Sequence, residues 1–135
     1  MNSGSAAGKT TIAPWISIAK GRGQEAVSFY REAFGAEVLV VIDNDRGIVA
    51  RLGVGGAEFW LADESPEHRN VSPESVNAVT TRLIFVVDDP DTLFDRAVSA
   101  GARPICPMSD DHGWRVGGVL DPFGHHWEMA REDRA

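Results

Sequence analysis

Cysteine is almost absent: Cys106 is the only one in 135 residues. That excludes a disulfide within the chain and a thiolate zinc cluster, and it predicts a reducing, cytoplasmic setting. Its surroundings, "ARPICP", offer neither a cation nor a general base, so Cys106 reads as a plain thiol. Long apolar runs are missing too. No stretch approaches the roughly 20 residues that a membrane-spanning helix needs, and no leader pattern is visible, so no membrane partner is expected. Positive charge is scarce, with 13 Lys and Arg against 20 Asp and Glu and a formal net charge of −7. Nucleic acid wants clustered cations and is not an expected partner. An acidic surface suits a cationic ligand and serves solubility equally well. The "GKT" of Gly8 to Thr10 invites a phosphate-loop reading, but Ser3 stands where that motif needs its first glycine and no strand precedes it.

What is present fits one globular domain, with 43% hydrophobic residues. Residues 1–10, "MNSGSAAGKT", are small and polar and read as a flexible tail. "IAPWISI" then reads as a strand. "GQEAVSFYREAFGA" places Ala26, Val27, Tyr30, Ala33 and Phe34 on one helical stripe, ended by Gly35. "EVLVVID", "GIVARLGV" and "GAEFWLAD" are short strands between Asn, Asp and Gly turns. A polar stretch from Glu64 to Ala78, with Pro66 and Pro73, reads as a linker.

The pattern then restarts. "TRLIFVVD" is a strand. "DPDTLFDRAVSAGA" is a helix capped by Asp89, with Pro90 at its first position and Gly101 at its end. "RPICPM", "WRVGGVLD" and "HHWEMAR" supply three more strands. "GAEFWLAD" can be laid over "GHHWEMAR", with Gly56 on Gly124, Leu61 on Met129 and Ala62 on Ala130. The chain is a βαβββ unit written twice, over about residues 11–64 and 79–132 of a single domain at 11–132. Such a repeat predicts a ligand site where the halves meet.

The duplicated βαβββ plan, "AVSFYREAFGAE" and "GWRVGGVLDPFGHHWEMA" together resemble the vicinal oxygen chelate superfamily. That group holds glyoxalase I, bleomycin-resistance proteins and extradiol dioxygenases, and the likeness is strongest to its PhnB-like and bleomycin-resistance-like branches. The resemblance implies an α+β fold with a curved, cavity-enclosing mixed sheet, helices on the convex side, and a homodimer. It also implies that catalytic members would hold a divalent metal at positions falling here on Trp15, Trp60, Arg82 and Glu128.

Strand alternation tests that implication. Ile16 and Ile18, Phe59 and Leu61, Leu83, Phe85 and Val87, and Trp127 and Met129 should face the helices. Trp15, Trp60, Arg82, Ile84, His126 and Glu128 should then face the cavity, with His125 turned away. Among the four transferred positions only Glu128 has ligand chemistry. Tryptophan has no free lone pair, arginine stays cationic, and a catalytic site needs about three protein ligands. No metal and no other cofactor is therefore expected.

The candidate site is an aromatic pocket walled by Trp15 and Trp60, with Arg82 and Glu128 as opposite charges, and with Trp114 and Arg115 at its rim. Each residue also has a plainer reading, as core filling, a structural ion pair or surface. Two functions fit: a small-molecule-binding protein that sequesters a planar or cationic compound, or an enzyme. The enzyme would be metal-free with Glu128 or His126 as the acid–base group, or metal-dependent in the manner of glyoxalases and dioxygenases.

Overall fold

The structure is a computed structural model that describes residues 9–133. Most of the tail expected over residues 1–10 lies outside the described residues. The first module runs β1 (Trp15–Ile18), α1 (Gly23–Phe34), β2 (Glu37–Asn44), β3 (Gly47–Val54) and β4 (Ala57–Asp63). The second runs β5 (Arg82–Val86), α3 (Pro90–Ala100), β6 (Arg103–Asp111), β7 (Trp114–Leu120) and β8 (His126–Glu132). Each module forms its own four-stranded mixed sheet, ordered β1-β4-β3-β2 and β5-β8-β7-β6. In both, the opening strand runs parallel to the last and the remaining pairs are antiparallel.

The helices form where the apolar stripes dictate. On α1, Ala26, Val27, Phe29, Tyr30, Ala33 and Phe34 are buried. Gly35 closes the helix at φ 67°, in the left-handed region that a side chain resists. On α3 the Asp89 side chain accepts from the Thr92 N–H at 3.2 Å, capping the first turn.

The stretch between the modules is more ordered than a polar linker suggests. It holds a 3-10 turn, Pro66–His68, and a short helix, α2 (Pro73–Val76). Glu64 ties it together, accepting from Ser72 N and from the Ser75 hydroxyl, both at 2.9 Å. The first of these bonds chiefly holds the Glu64 carboxyl below its usual range.

Alternation sorts the sheets as the sequence predicts. Ile16, Ile18, Phe59, Leu61, Phe85, Trp127 and Met129 are all buried toward the helices. The two modules share this core. Trp127 of β8 packs on Tyr30 and Phe34 of α1 and on Phe59 of β4, with ring centroids 4.9–5.6 Å apart. Beneath it, Asp121 in the β7–β8 turn is buried and accepts from the indole of Trp127 and the hydroxyl of Tyr30. Burial, and then the adjacent Asp121 carboxylate, push the Tyr30 phenol well above its ordinary range.

Candidate functional site

The open faces of the two sheets, those turned away from the helices, carry the predicted site residues other than Arg115. On the second sheet Arg82, Ile84, Val86, Trp114, Val116 and Glu128 line a hollow of about 470 Å³, with Asp111 and His112 at its edge. Arg82 Nη1 lies 3.2 Å from Glu128 Oε2. The arginine side chain is 60% exposed and the carboxylate 18%. So open a pair contributes about 1 kcal/mol or less. Around it, Ile84 and Val86 are 55% and 67% exposed, an unusual outlay of aliphatic surface on adjacent same-face positions.

Gly118 lies opposite Glu128 on the neighbouring strand, beside this hollow rather than in its lining. A Cβ there would stand 3.1 Å from His126 Nε2, so the glycine leaves room for that imidazole, and 3.7 Å from Glu128 Cγ, an ordinary contact. His126 Nε2 is buried and has no hydrogen-bond partner among the described residues.

Trp15 and Trp60 do not join this group. They sit side by side on the first sheet, ring centroids 5.9 Å apart and 17° from parallel, and neither lines the Arg82–Glu128 hollow. Arg51, which the sequence did not single out, lies over the Trp60 ring at 5.6 Å and 3.7 Å from Glu58. The aromatic pair and the ion pair are thus two faces, because the sheet is divided between the modules.

Two further placements differ from expectation. Arg115 follows Trp114 on β7 and so points the other way, toward α3. Its guanidinium grips Asp91 at 2.7 Å and reaches Asp110 at 3.4 Å. That bond holds the Asp91 carboxyl below its usual range. Arg115 therefore ties strand to helix and is no rim contact. The strand register also moves one transferred position. Trp15 stands opposite Trp60, and the matching partner of Glu128 is Ile84, not Arg82. His125, just before β8, is buried, and its Nε2 lies 2.8 Å from the Ser17 carbonyl oxygen of β1.

A match to the Glyoxalase/Bleomycin resistance protein/Dioxygenase superfamily covers residues 12–129. The chain belongs to this superfamily. The uncharacterized protein Mb0911c of Mycobacterium bovis is 34% identical over 115 residues, covering 81% of this chain and 76% of that protein. Among solved structures, TioX from Micromonospora sp. ML1 superposes with a TM-score of 0.67 at 26% identity, over 90% of this chain and 99% of that one. TnmS3 from Streptomyces sp. CB03234, an antibiotic binding protein, shares the fold with a TM-score of 0.66 at 19% identity, covering 91% and 97%.

The superfamily's metal chemistry does not fit these residues. Trp15, Trp60 and either Arg82 or Ile84 bring no donor, which leaves Glu128. Among the described residues no three His, Cys, Asp or Glu side chains gather as a metal centre requires.

Proposed function

We propose that this superfamily member is a small-molecule-binding protein. Its ligand is a planar, cationic compound held on the open face of the second sheet. The observation that carries the reading is the Arg82–Glu128 hollow itself. Aliphatic surface from Ile84, Val86 and Val116 and the ring of Trp114 offer flat contact, while Glu128 and Asp111 outnumber the cation Arg82. That TnmS3 binds an antibiotic on the same fold supports it. A second copy of the chain closes over these open faces with the ligand between the two chains, since Ile84, Val86 and Trp15 are too exposed for a finished surface.

The test is calorimetric titration with a planar cation such as proflavine. One saturable site per chain is expected, weakened about tenfold in Glu128→Gln by loss of a charge-assisted contact. Equal binding of a planar anion of the same size, or stoichiometric uptake of zinc, nickel or manganese, would reject the reading. Light scattering at micromolar concentration should give a dimer; a monomer would reject the second copy.

One observation favours a second reading, metal-free acid–base catalysis by Glu128 and His126. The unpartnered, buried Nε2 of His126 lies on the same face as Glu128, two residues away. Turnover of a bound compound, lost in both Glu128→Gln and His126→Gln, would select this reading over simple binding.

A further inference from the structure

A second hollow, of about 440 Å³, opens between β1, the connecting segment and the start of β5. It lies apart from the Arg82–Glu128 face and shares no lining residue with it. Its apolar walls include Val71, Val76 and Leu83, and Thr81 adds a hydroxyl. Its cation is Arg69.

Charge makes this hollow different from its surroundings. In a chain with 20 Asp and Glu, no carboxylate lines it. The Arg82–Glu128 hollow holds Asp111 and Glu128, and the hollow beside residues 11–14 holds Glu58. Arg69, like Arg31, Arg46, Arg96 and Arg103, has no ion-pair partner among the described residues. Arg31 lines a hollow beside Glu32, whereas Arg69 lines one without a carboxylate.

The turn that carries Arg69 is already set. Ser65 N donates to Asn70 O at 2.7 Å, and Asn70 N returns a bond to Ser65 O at 3.1 Å. Arg69 N donates to Pro66 O at 2.9 Å, with Arg69 at φ 63°. A non-glycine residue in the left-handed region is uncommon, and these bonds hold it there. The backbone beneath the guanidinium is therefore fixed before a ligand arrives, and the exposed Arg69 side chain is what binding has to order.

On the far wall, His125 Nε2 meets the Ser17 carbonyl, which can only accept. Nε2 must then carry the proton, and Nδ1 has no partner among the described residues.

The geometry points to a binding site for a small organic carboxylate with a flat apolar body, its anionic end on Arg69 and its body against Val71, Val76 and Leu83. Aliphatic walls, one guanidinium and no competing carboxylate select that class over cations and over highly charged phosphates.

Calorimetry on the full chain tests it, with naphthalene carboxylate as the probe and naphthylmethylammonium as the cation of matched shape. The carboxylate should bind one per chain and at least about tenfold more tightly than the ammonium, the factor that one charge-assisted contact supplies. Arg69→Gln should abolish that preference, and Arg69→Lys should restore part of it. Arg103→Gln makes the same change in net charge on an exposed strand position outside the hollow and should leave binding as it is. The proposal fails if the carboxylate shows no saturable binding, if Arg69→Gln binds it as wild type does, or if Arg103→Gln weakens it equally. It also fails if the carboxylate merely competes with proflavine, since one shared site would then explain both.

Discussion

The indole nitrogen of Trp127 donates to Asp121 Oδ2 across 2.8 Å, and the Tyr30 hydroxyl donates to the same oxygen. Asp121 Oδ1 accepts from the backbone N–H groups of Phe123 and His125, both at 2.9 Å. One buried carboxylate from the second module therefore satisfies four donors, one of them from the first. Asp121→Ala should cost about 3–5 kcal/mol, because it strands several buried donors at once. Urea unfolding measures this, and a loss under about 1 kcal/mol would mean that water replaces the carboxylate. Trp127→Ala should cost a similar amount, about 3–5 kcal/mol, through the lost packing.

Tyr30 is the only tyrosine in the chain, so its ionisation has a single-residue optical signal. Its folded pKa is raised above the ordinary value of 10.0. Below that value both folded and unfolded chains keep the proton, and the contribution to stability is full. Above it the unfolded chain releases the proton and the folded chain does not, so stability falls as pH rises. Tyrosinate absorbance should stay absent in the folded protein past pH 10 and appear together with unfolding. Absorbance that rises near pH 10 while the fold persists would contradict the burial of this hydroxyl.

Periodicity and alternation made much of this fold legible. The stripe of α1, the Asp89 cap and the inward face of Trp127 and Met129 all depend on local spacing, which sequence displays. The register of parallel strands does not, because no tight turn links β5 to β8. That is why Arg82, rather than Ile84, was set against Glu128. Separation of the two open faces was illegible for a related reason: it depends on whether the opening strands of the modules pair with each other. Asp121 did leave a signal, an Asp-Pro-x-Gly turn whose side chain can bond the backbone beyond it, but its bonds to Tyr30 and Trp127 depend on tertiary packing that local sequence does not display.

Gly118, paired with Glu128 across β7 and β8, offers a way to crowd the Arg82–Glu128 hollow through the Glu128 side chain. Its backbone is not in the left-handed region, so a side chain is tolerated conformationally. Gly118→Val should push into the space of His126 and Glu128 and weaken proflavine binding by at least about tenfold, or roughly 1.4 kcal/mol. Circular dichroism should show the fold retained. Unchanged binding in a folded variant would place the ligand elsewhere.

The register yields a test of the missing metal. Ile84→His sets an imidazole directly opposite Glu128, whereas Arg82→His sets it diagonally. Zinc titration should find weak binding in Ile84→His, abolished by adding Glu128→Gln, and none in wild type. Two protein ligands are fewer than the roughly three of a catalytic site, so affinity should stay modest. Tight zinc binding by the wild type would overturn the donor argument.

Trp127 draws ring partners from α1 and β4, and His125 of the second module holds the Ser17 carbonyl of the first. Neither half owns a complete interior, although each repeats the same plan. An isolated second module would present Trp127 and Asp121 to water, and an isolated first module would present Phe34 and Phe59. The two halves must therefore melt together, in one cooperative transition, even if the connecting segment is cut. Duplication has left a chain that looks divisible in sequence and is thermodynamically a single unit.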